Sequence, residues 1–290
     1  MPELPEVETV RRILERAAVG RTITGVRCAR PKLVEALADG LALEHLVGAR
    51  VERVGRRAKY LTLRFDRDPQ AVLHLRMTGQ VAAVAPDGAR QVAGHPVPAY
   101  DAPLPAPTTH LTLDLDDGTT IYLQDPRHFA RLTLLPAAEL DAYLAGRDLG
   151  PEPSDPALTP DALAEKLRAR GRAKLKPLLL DQAFVSGLGN IYADEALHLA
   201  RLHPERKAGS LSRSEVERLH QAMRAVLKEA IEIGGARIYH GKAAPINGFP
   251  RVHARAGEPC PDCGATVVKY TLAGRGTYYC PTCQPKPSAT

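Results

Sequence analysis

The sequence contains no tryptophan, and its aromatic residues together make up only 4% of 290 positions. It also lacks any apolar run close to the roughly 20 residues that a transmembrane helix needs. The opening MPELPEVETV has neither the basic start nor the apolar core of a secretory signal. These absences argue against a membrane protein and against a secreted one, so we expect a cytoplasmic protein with no membrane partner.

A strong excess of either charge is missing as well. Lys and Arg number 39 and Asp and Glu number 33, which gives a formal net charge of +6. Such a basic balance fits a nucleic-acid partner, with a location at the nucleoid, but does not require one. Apolar residues at 44% and charged residues at 25% are ordinary for a globular protein, and 290 residues suffice for two domains.

The first half of the chain is predicted to be one helix followed by a β-rich domain. Residues 5–18 place apolar side chains on one helical face. Residues 22–134 contain short runs of alternating apolar and polar residues, separated by turn signals such as Asp117-Gly118. This pattern favours a sandwich of two sheets. Residues 85–108, rich in Pro, Gly and Ala, are predicted to form one long surface loop.

The second half is predicted to be helical up to a cysteine-bearing end. A Pro-rich stretch within residues 150–159 is typical of a linker. We therefore divide the chain into an N-terminal sandwich domain (1–149), the linker, a helical domain (160–250) and a terminal segment (251–290). The predicted helices are 159–170, 175–183, 191–200 and 212–233, the last of which begins with the capping box of Ser212 and Glu215.

Four of the five cysteines form two Cys-x-x-Cys pairs. Sixteen residues separate the pairs, within the spacing of a tetrahedral zinc site. Because four thiolates leave no open coordination position, we expect one structural zinc ion, held on a β-hairpin, and no catalytic role for it. A redox-active dithiol is the alternative interpretation. The predicted ligands are Cys260, Cys263, Cys280 and Cys283.

The opening decapeptide resembles the N-terminus of the bacterial formamidopyrimidine-DNA glycosylase family, whose members are also called 8-oxoguanine DNA glycosylases. Further stretches similar to that family follow in the same order along the chain, and the cysteine pairs come last. These stretches are RAKY at 57–60, HLRMTG at 74–79, DPRHF at 125–129 and GLGNIYADEAL at 187–197.

The resemblance implies an α+β fold: an N-terminal helix and a two-layer β-sandwich domain, then a helical domain with a helix–two-turns–helix motif and a C-terminal β-hairpin zinc finger. It also implies a bifunctional glycosylase and AP lyase that removes oxidised purines from damaged double-stranded DNA. The implied nucleophile is the secondary amine of Pro2, which is set free once Met1 is removed. Glu3 is implied as general acid/base, and Lys59, in a strand-like run, as a contact to the phosphate or sugar of the lesion.

The resemblance also assigns residues that hold DNA after the damaged nucleotide has been flipped out of the stack. Met77, Arg127 and Phe129 are implied to fill the gap, since Met and Phe can wedge between bases and Arg can donate to the orphaned base. From the residues alone, the arginine between Gly274 and Gly276 fits an exposed turn and a DNA contact equally well. The phosphate contacts that the family match implies are His74, Lys176, Asn190 and Arg275.

The sequence departs from the family pattern at two places. His128 stands where the family commonly has a second arginine, in Asp-Pro-Arg-Arg-Phe. Residues 234–252 resemble the family only loosely, in the region where the family carries a flexible lid over the everted base. No residue that grips the damaged base is therefore assigned there.

Two other functions remain open from the sequence. An endonuclease VIII-type glycosylase for oxidised pyrimidines uses the same amine, but its usual opening has glycine where this chain has Leu4. A non-catalytic DNA-binding relative needs no N-terminal amine, so the joint presence of Pro2, Glu3 and Lys59 argues against it. The resemblance favours a monomer.

Overall fold

The structure, a computed structural model, describes residues 1–286. The chain divides into two compact units, Met1–Arg147 and Asp148–Thr290. Gly150 already belongs to the second unit by hydrogen bonding, because its backbone N–H donates to the carbonyl of Gln182 at 2.8 Å. The division into four segments drawn from the sequence stays a prediction. Within residues 1–286, none of the helices combines the length and the apolar character needed to cross a membrane.

Helix α1, Leu4–Ala18, opens the first unit. Pro5 in its first turn is favourable there, because the missing N–H has no intrahelical partner at that position anyway. Val7, Val10 and Leu14 are buried on one face, as the periodicity predicts. Gly20 follows the helix with φ of +82°, a conformation that costs glycine little.

Two five-stranded sheets make up the rest of the first unit, with strand orders β1-β8-β9-β6-β7 and β2-β10-β5-β4-β3. We refer to the second of them as the β5 sheet. A short helix, α2, Leu140–Ala145, closes the unit. The strands are β1 Ile23–Cys28, β2 Val34–Ala36, β3 Val51–Arg57, β4 Tyr60–Phe65, β5 Gln70–His74, β6 Gln80–Val84, β7 Arg90–Gly94, β8 Thr109–Leu115, β9 Thr120–Gln124 and β10 Arg131–Leu135.

A single apolar core joins the two sheets and α1. Leu61, Leu63 and Phe65 alternate along β4 and enter this core, which is the period-two pattern of a strand with one buried face. Burying a leucine side chain stabilises the fold by about 1.5–3 kcal/mol, so this layer contributes strongly to holding the two sheets together. The sandwich of two sheets predicted from the sequence is confirmed.

The single long loop predicted at residues 85–108 is wrong. Residues 90–94 form β7, which pairs antiparallel with β6 from Gln80↔Gly94 to Val84↔Arg90. The turn residues Pro86 and Gly88 lie between the two strands and close a hairpin. Gly and Pro marked this turn correctly. The composition of the segment could not show that residues 90–94 pair with β6, because β6 precedes the segment.

The second unit is helical and ends in small hairpins. Ser212 accepts a hydrogen bond from the backbone N–H of Glu215 at 3.3 Å, and the predicted capping box is present. The second predicted helix ends three residues early, because Asp181 leaves the helical conformation and its carboxylate accepts from the N–H of Ala183 at 3.0 Å. The elements are α3 Pro160–Ala169, α4 Leu175–Leu180, α5 Asn190–Leu199, α6 Arg213–Glu232, β11 Ile238–Tyr239, β12 Lys242–Ala243, β13 Val268–Leu272 and β14 Arg275–Tyr279.

Candidate functional site

Three loops of the first unit leave the β5 sheet at one edge. The strand register places Tyr60 opposite His74 and His74 opposite Arg131. The turn before β4, the turn after β5 and the loop before β10 therefore emerge side by side. These segments carry Lys59, Met77, Arg127 and Phe129. The sheet therefore brings together four residues that are spread over about seventy positions of the sequence.

Pro2 and Glu3 precede α1 directly, and both are buried, whereas Met1 is exposed. Glu3 is the N-cap residue, and its backbone N–H donates to Oε2 of Glu6 at 2.8 Å. Glu6 thus stabilises the start of the helix. Its carboxylate satisfies the backbone N–H of Glu3 and lies at the positive end of the helix dipole. Glu3, adjacent to Pro2, is then the carboxylate nearest in sequence to the candidate amine.

Lys59 lies in the two-residue turn of the β3–β4 hairpin rather than in a strand, which corrects the strand assignment made from the sequence. Ala58, the other turn residue, has φ of +51°, in the left-handed region that such a tight turn demands. The Lys59 side chain is only 7% exposed. An exposed surface lysine is thereby ruled out, and a buried ammonium is typical of a functional site.

His74 packs edge-on against Tyr60, with ring centroids 4.5 Å apart. Burial, with further contributions from Arg76 and Lys59, lowers the pKa of His74 from 6.5 to about 3, so the imidazole is neutral at physiological pH. The N–H of Arg76 donates to Nδ1 at 2.9 Å, which places the ring proton on Nε2. His74 therefore offers one neutral N–H donor, suited to a phosphate oxygen.

Asp125, fully buried, connects the Met77 turn to the loop of Arg127 and Phe129. Its Oδ1 accepts from the hydroxyl of Thr78 and from the N–H of Arg127, the latter at 3.2 Å. Its Oδ2 accepts from the N–H groups of Phe129 at 2.5 Å and Ala130 at 2.6 Å. One carboxylate thus holds the backbone of the loop of Arg127 and Phe129 and, through the Thr78 hydroxyl, the turn that carries Met77.

The side chains of Arg127 and Phe129 project from this fixed backbone. Phe129 is 45% exposed, which is unusual for a phenylalanine, and the guanidinium of Arg127 lies 4.8 Å from the centre of its ring. Met77 is half-buried in the neighbouring turn. An exposed aromatic ring paired with a cation beside a methionine can stack on nucleobases.

His95 belongs to the same region, although no sequence motif singled it out. Its backbone N–H donates to the carbonyl of Gly79 at 3.0 Å, at the end of the Met77 turn. Burial lowers the pKa of His95, and the positive charges of the chain N-terminus and Arg127 lower it further. His95 is therefore within electrostatic reach of both the amino terminus at Met1 and Arg127.

The second unit carries the remaining candidates around the carbonyl of Gly276 in β14. Lys176 Nζ donates to this oxygen at 2.8 Å and Asn190 Nδ2 at 2.9 Å. Lys176 is 1% exposed and also forms an ion pair with Asp194 at 2.7 Å. A direct phosphate contact by Lys176 stays a prediction, and the burial of the ammonium favours a role in positioning the hairpin.

Asp194 extends this buried network to the finger. Its Oδ2 accepts from Nδ1 of His253 at 2.8 Å and from the N–H of Tyr278 at 3.2 Å. Arg275 begins β14 directly after the turn Ala273-Gly274, where both residues have positive φ, and its side chain is exposed. The network thus fixes the strand whose first residue presents a guanidinium to solvent.

Glu195 anchors the chain that enters the finger. Its two carboxylate oxygens accept from the backbone N–H groups of Arg251 at 2.7 Å, Val252 at 2.9 Å and His253 at 2.8 Å. Asp194 and Glu195 occur within the stretch that carries the family resemblance, and Asp125 occurs within another. The sequence did not indicate these roles, because it does not distinguish an acidic residue that is buried from one that is exposed.

The four predicted zinc ligands are close together. Their sulfur atoms all lie within 4.8 Å of one another, with Cys260 Sγ 3.9 Å from Cys283 Sγ and Cys263 Sγ 3.4 Å from Cys280 Sγ. Four sulfurs at about 2.3 Å from a tetrahedral zinc ion are separated by about 3.8 Å, so the arrangement fits the metal. The finger therefore holds one structural zinc ion, as predicted.

Three known domain families match the chain in succession. Residues 1–132 match the formamidopyrimidine-DNA glycosylase N-terminal domain, and residues 149–240 match the formamidopyrimidine-DNA glycosylase H2TH domain. Residues 257–286 match a zinc finger found in FPG and IleRS. This order defines the class of protein: a glycosylase N-terminal domain followed by an H2TH domain and a zinc finger.

Whole-chain relatives agree with the domain matches. A formamidopyrimidine-DNA glycosylase of Pelotomaculum thermopropionicum is 41% identical and one of Chloroflexus aurantiacus 42%, each over 98% of this chain and at least 98% of the relative. Lactococcus lactis Fpg bound to DNA with an abasic site has a similar fold, with a TM-score of 0.83, 37% identity, and coverage of 98% of this chain and all of that one. A complex of MutM with DNA containing carbocyclic 8-oxo-G gives 0.81 and 35%, at the same coverage. The chain belongs to the formamidopyrimidine-DNA glycosylase family.

Proposed function

We propose that this protein is a bifunctional glycosylase and AP lyase that removes oxidised purines from double-stranded DNA in base-excision repair. The observation that carries the proposal is the edge of the β5 sheet, where buried Lys59 and neutral His74 lie beside the loops of Met77, Arg127 and Phe129. The relatives' names and the DNA complexes of similar structures support the same activity. We further propose that it acts as a monomer, in the cytoplasm at the nucleoid.

The chemistry begins at Pro2 once Met1 has been removed. An α-amino group titrates at about 7.7 to 8.0, so a useful fraction is neutral and nucleophilic at physiological pH. The Pro2 nitrogen forms a bond to C1′ of the damaged nucleotide, and the bond from C1′ to the base breaks. Opening of the sugar ring then gives an iminium ion, because the Pro2 nitrogen is a secondary amine. This electron sink acidifies the protons next to it, so the two flanking phosphates leave in successive eliminations.

Two side chains assist that sequence. Glu3, next to the amine and 2% exposed, donates a proton to the ring oxygen as the sugar opens and accepts protons in later steps. The Lys59 ammonium stabilises the negative charge of the phosphate beside the lesion, and its burial strengthens this interaction because water screens it less.

The exposed loops maintain the distorted DNA. Phe129 and Met77 wedge into the gap left by the flipped nucleotide, and Arg127 donates to the base that has lost its partner. His74 donates its Nε2 proton to a phosphate, while Asn190 and Arg275 contact the backbone from the second unit. The structural zinc ion supplies the fold of the finger hairpin that presents Arg275.

The proposal is tested by incision of duplexes that contain one 8-oxoguanine opposite cytosine, with a duplex carrying an oxidised pyrimidine as comparison. Intact mass first establishes that Met1 is absent. We expect strand cleavage of the purine duplex, loss of elimination in Pro2→Gly with DNA affinity retained, and strong loss in Glu3→Gln. Glu15→Gln is the matched control, because Glu15 lies in the helix that Glu3 caps but is half-exposed.

Three outcomes would contradict parts of the proposal. Cleavage of the oxidised-pyrimidine duplex alone would place the chain with endonuclease VIII-type enzymes. Binding without cleavage of either duplex, in protein that lacks Met1, would indicate a non-catalytic relative. Unchanged elimination in Pro2→Gly would exclude Pro2 as the nucleophile.

A further inference from the structure

The loop of Arg127 and Phe129 has a third side chain, His128, which points to a different neighbour. Its φ of +62° turns the residue away from its two neighbours in the loop. The imidazole stacks at a tilt on His110, with ring centroids 4.7 Å apart, and its Nδ1 contacts NH1 of Arg30. His110 in turn donates from Nε2 to the carbonyl of Asp125 at 2.8 Å. His128, which stands where the family commonly has a second arginine, thus contacts an arginine from another segment, Arg30.

Arg30 lies between β1 and β2, and its guanidinium contacts the imidazole of His128 rather than an acid. In the part of the chain that the structure describes, its buried Nε has no hydrogen-bond partner. Arg27, three residues earlier, differs sharply: its guanidinium forms a two-pronged ion pair with Asp114. A guanidinium that is half-buried and held by an imidazole instead of a carboxylate retains donors for an external anion.

The surroundings of Arg30 are also basic. Arg131, the first residue of β10, donates from NH1 to the carbonyl of Lys32 at 3.1 Å. The guanidinium of Arg131 therefore lies against the segment that follows Arg30. Arg127 lies on the other side of His128 in the loop. Cations on the segments that contact or flank the loop of the exposed Phe129 ring favour a phosphate of the strand on which the ring acts.

We propose that Arg30 binds a DNA phosphate beside the gap-filling loop, and that it supplies the guanidinium which the family pattern carries where this chain has His128. His128 acts as a positioning residue: its Nδ1 accepts from Arg30 and orients the fork of N–H donors. The inference rests on the proposed function for its ligand, a DNA duplex, but it concerns binding and not the chemical step.

The test is the dependence of DNA affinity on salt concentration. Each phosphate that the protein no longer neutralises reduces the slope of log K against log salt by about 0.9. The probe is a duplex with a tetrahydrofuran abasic analogue, which cannot be cleaved, titrated at several concentrations of KCl. We expect Arg30→Ala to weaken binding and to reduce the slope by about 0.9, as for one phosphate. Arg27→Ala, whose cation is already paired with Asp114, is the matched control and should keep the wild-type slope.

Two further variants separate charge from loop structure. Arg30→Lys retains the charge and should keep the slope with weaker binding, because lysine lacks the fork. His128→Arg introduced into Arg30→Ala should restore the wild-type slope. Thermal unfolding of each protein checks that the sandwich remains folded.

A reduced affinity with an unchanged slope in Arg30→Ala would overturn the proposal, since Arg30 would then support only the loop. Equal slopes for wild type, Arg30→Ala and Arg30→Lys would also overturn it. Failure of the proposed function gives a different pattern: no cleavage of the 8-oxoguanine duplex by wild type, with the salt-slope changes still present.

Discussion

The two units position their candidate DNA-contacting residues by different physical means. In the first unit, the register of β4, β5 and β10 over an apolar core brings the loops to one edge. In the second, the finger strand is fixed by buried charges, with Lys176 and Asp194 at 1% and 0% exposure, and by four cysteines. Removal of one polar partner should therefore have a local effect in the first unit and a far-reaching effect in the second.

Removal of zinc should give the largest effect, because it removes what folds the finger. Metal binding stabilises isolated zinc fingers by about 10–16 kcal/mol, and the finger's own core is small. We expect Cys260→Ser, or chelation of the wild type, to lower affinity for a lesion duplex by more than about tenfold, which is about 1.4 kcal/mol. Cys28→Ser is the control, since Cys28 lies in β1. Normal DNA binding by metal-free protein would contradict the role of the finger.

The buried ion pair gives the next largest effect. Lys176→Met leaves Asp194 buried without its cation, which costs about 3–5 kcal/mol in unfolding free energy. The exposed pair of Arg213 and Asp161 is the comparison, and Asp161→Ala should cost less than about 1 kcal/mol. Urea unfolding measures both. A small loss of unfolding free energy in both variants would mean that the buried ion pair is not what fixes the finger strand in the second unit.

How far the sequence could predict these features depends on how local they are. The spacing of cysteines and the capping box of Ser212 are local, and both predictions were confirmed. The strand β7, the burial of Lys59 and the four hydrogen bonds to the Asp125 carboxylate depend on segments far apart in the chain. No local pattern reports those pairings, so the edge of the β5 sheet became visible only in three dimensions.

Asp125→Ala should have an intermediate and local effect within the first unit. It leaves the N–H groups of Phe129 and Ala130 without their acceptor, at about 1–3 kcal/mol for a buried group left unsatisfied. The N–H of Arg127 loses the same acceptor but keeps a bond of 3.3 Å to the Thr78 hydroxyl. We expect the core to remain folded while the loop no longer keeps its fixed conformation. Fluorescence of 2-aminopurine placed opposite an abasic analogue measures wedge insertion, which should fall. Asp87→Ala in the exposed β6–β7 turn is the control and should leave the signal unchanged.

The prediction with the smallest effect at physiological pH is the pH dependence of stability contributed by His74. Its pKa is about 3 in the folded protein and 6.5 in the unfolded chain, so the unfolded chain binds the extra proton between these values. Stability should therefore fall as the pH is lowered from 6.5 towards 3. His74→Gln should flatten this part of the curve, measured as unfolding free energy against pH. An identical curve in the variant would mean that His74 is not buried in its neutral form.

The proposed mechanism depends above all on attack by the Pro2 amine on the sugar of an oxidised purine nucleotide. Incubation with an 8-oxoguanine:cytosine duplex and borohydride, followed by peptide mass mapping, tests this step, because borohydride reduces the iminium ion to a stable C–N single bond. We expect a covalent adduct on the N-terminal peptide, at Pro2. Protein shown to lack Met1 that forms no adduct there, or forms one at a lysine such as Lys59 instead, would contradict the mechanism.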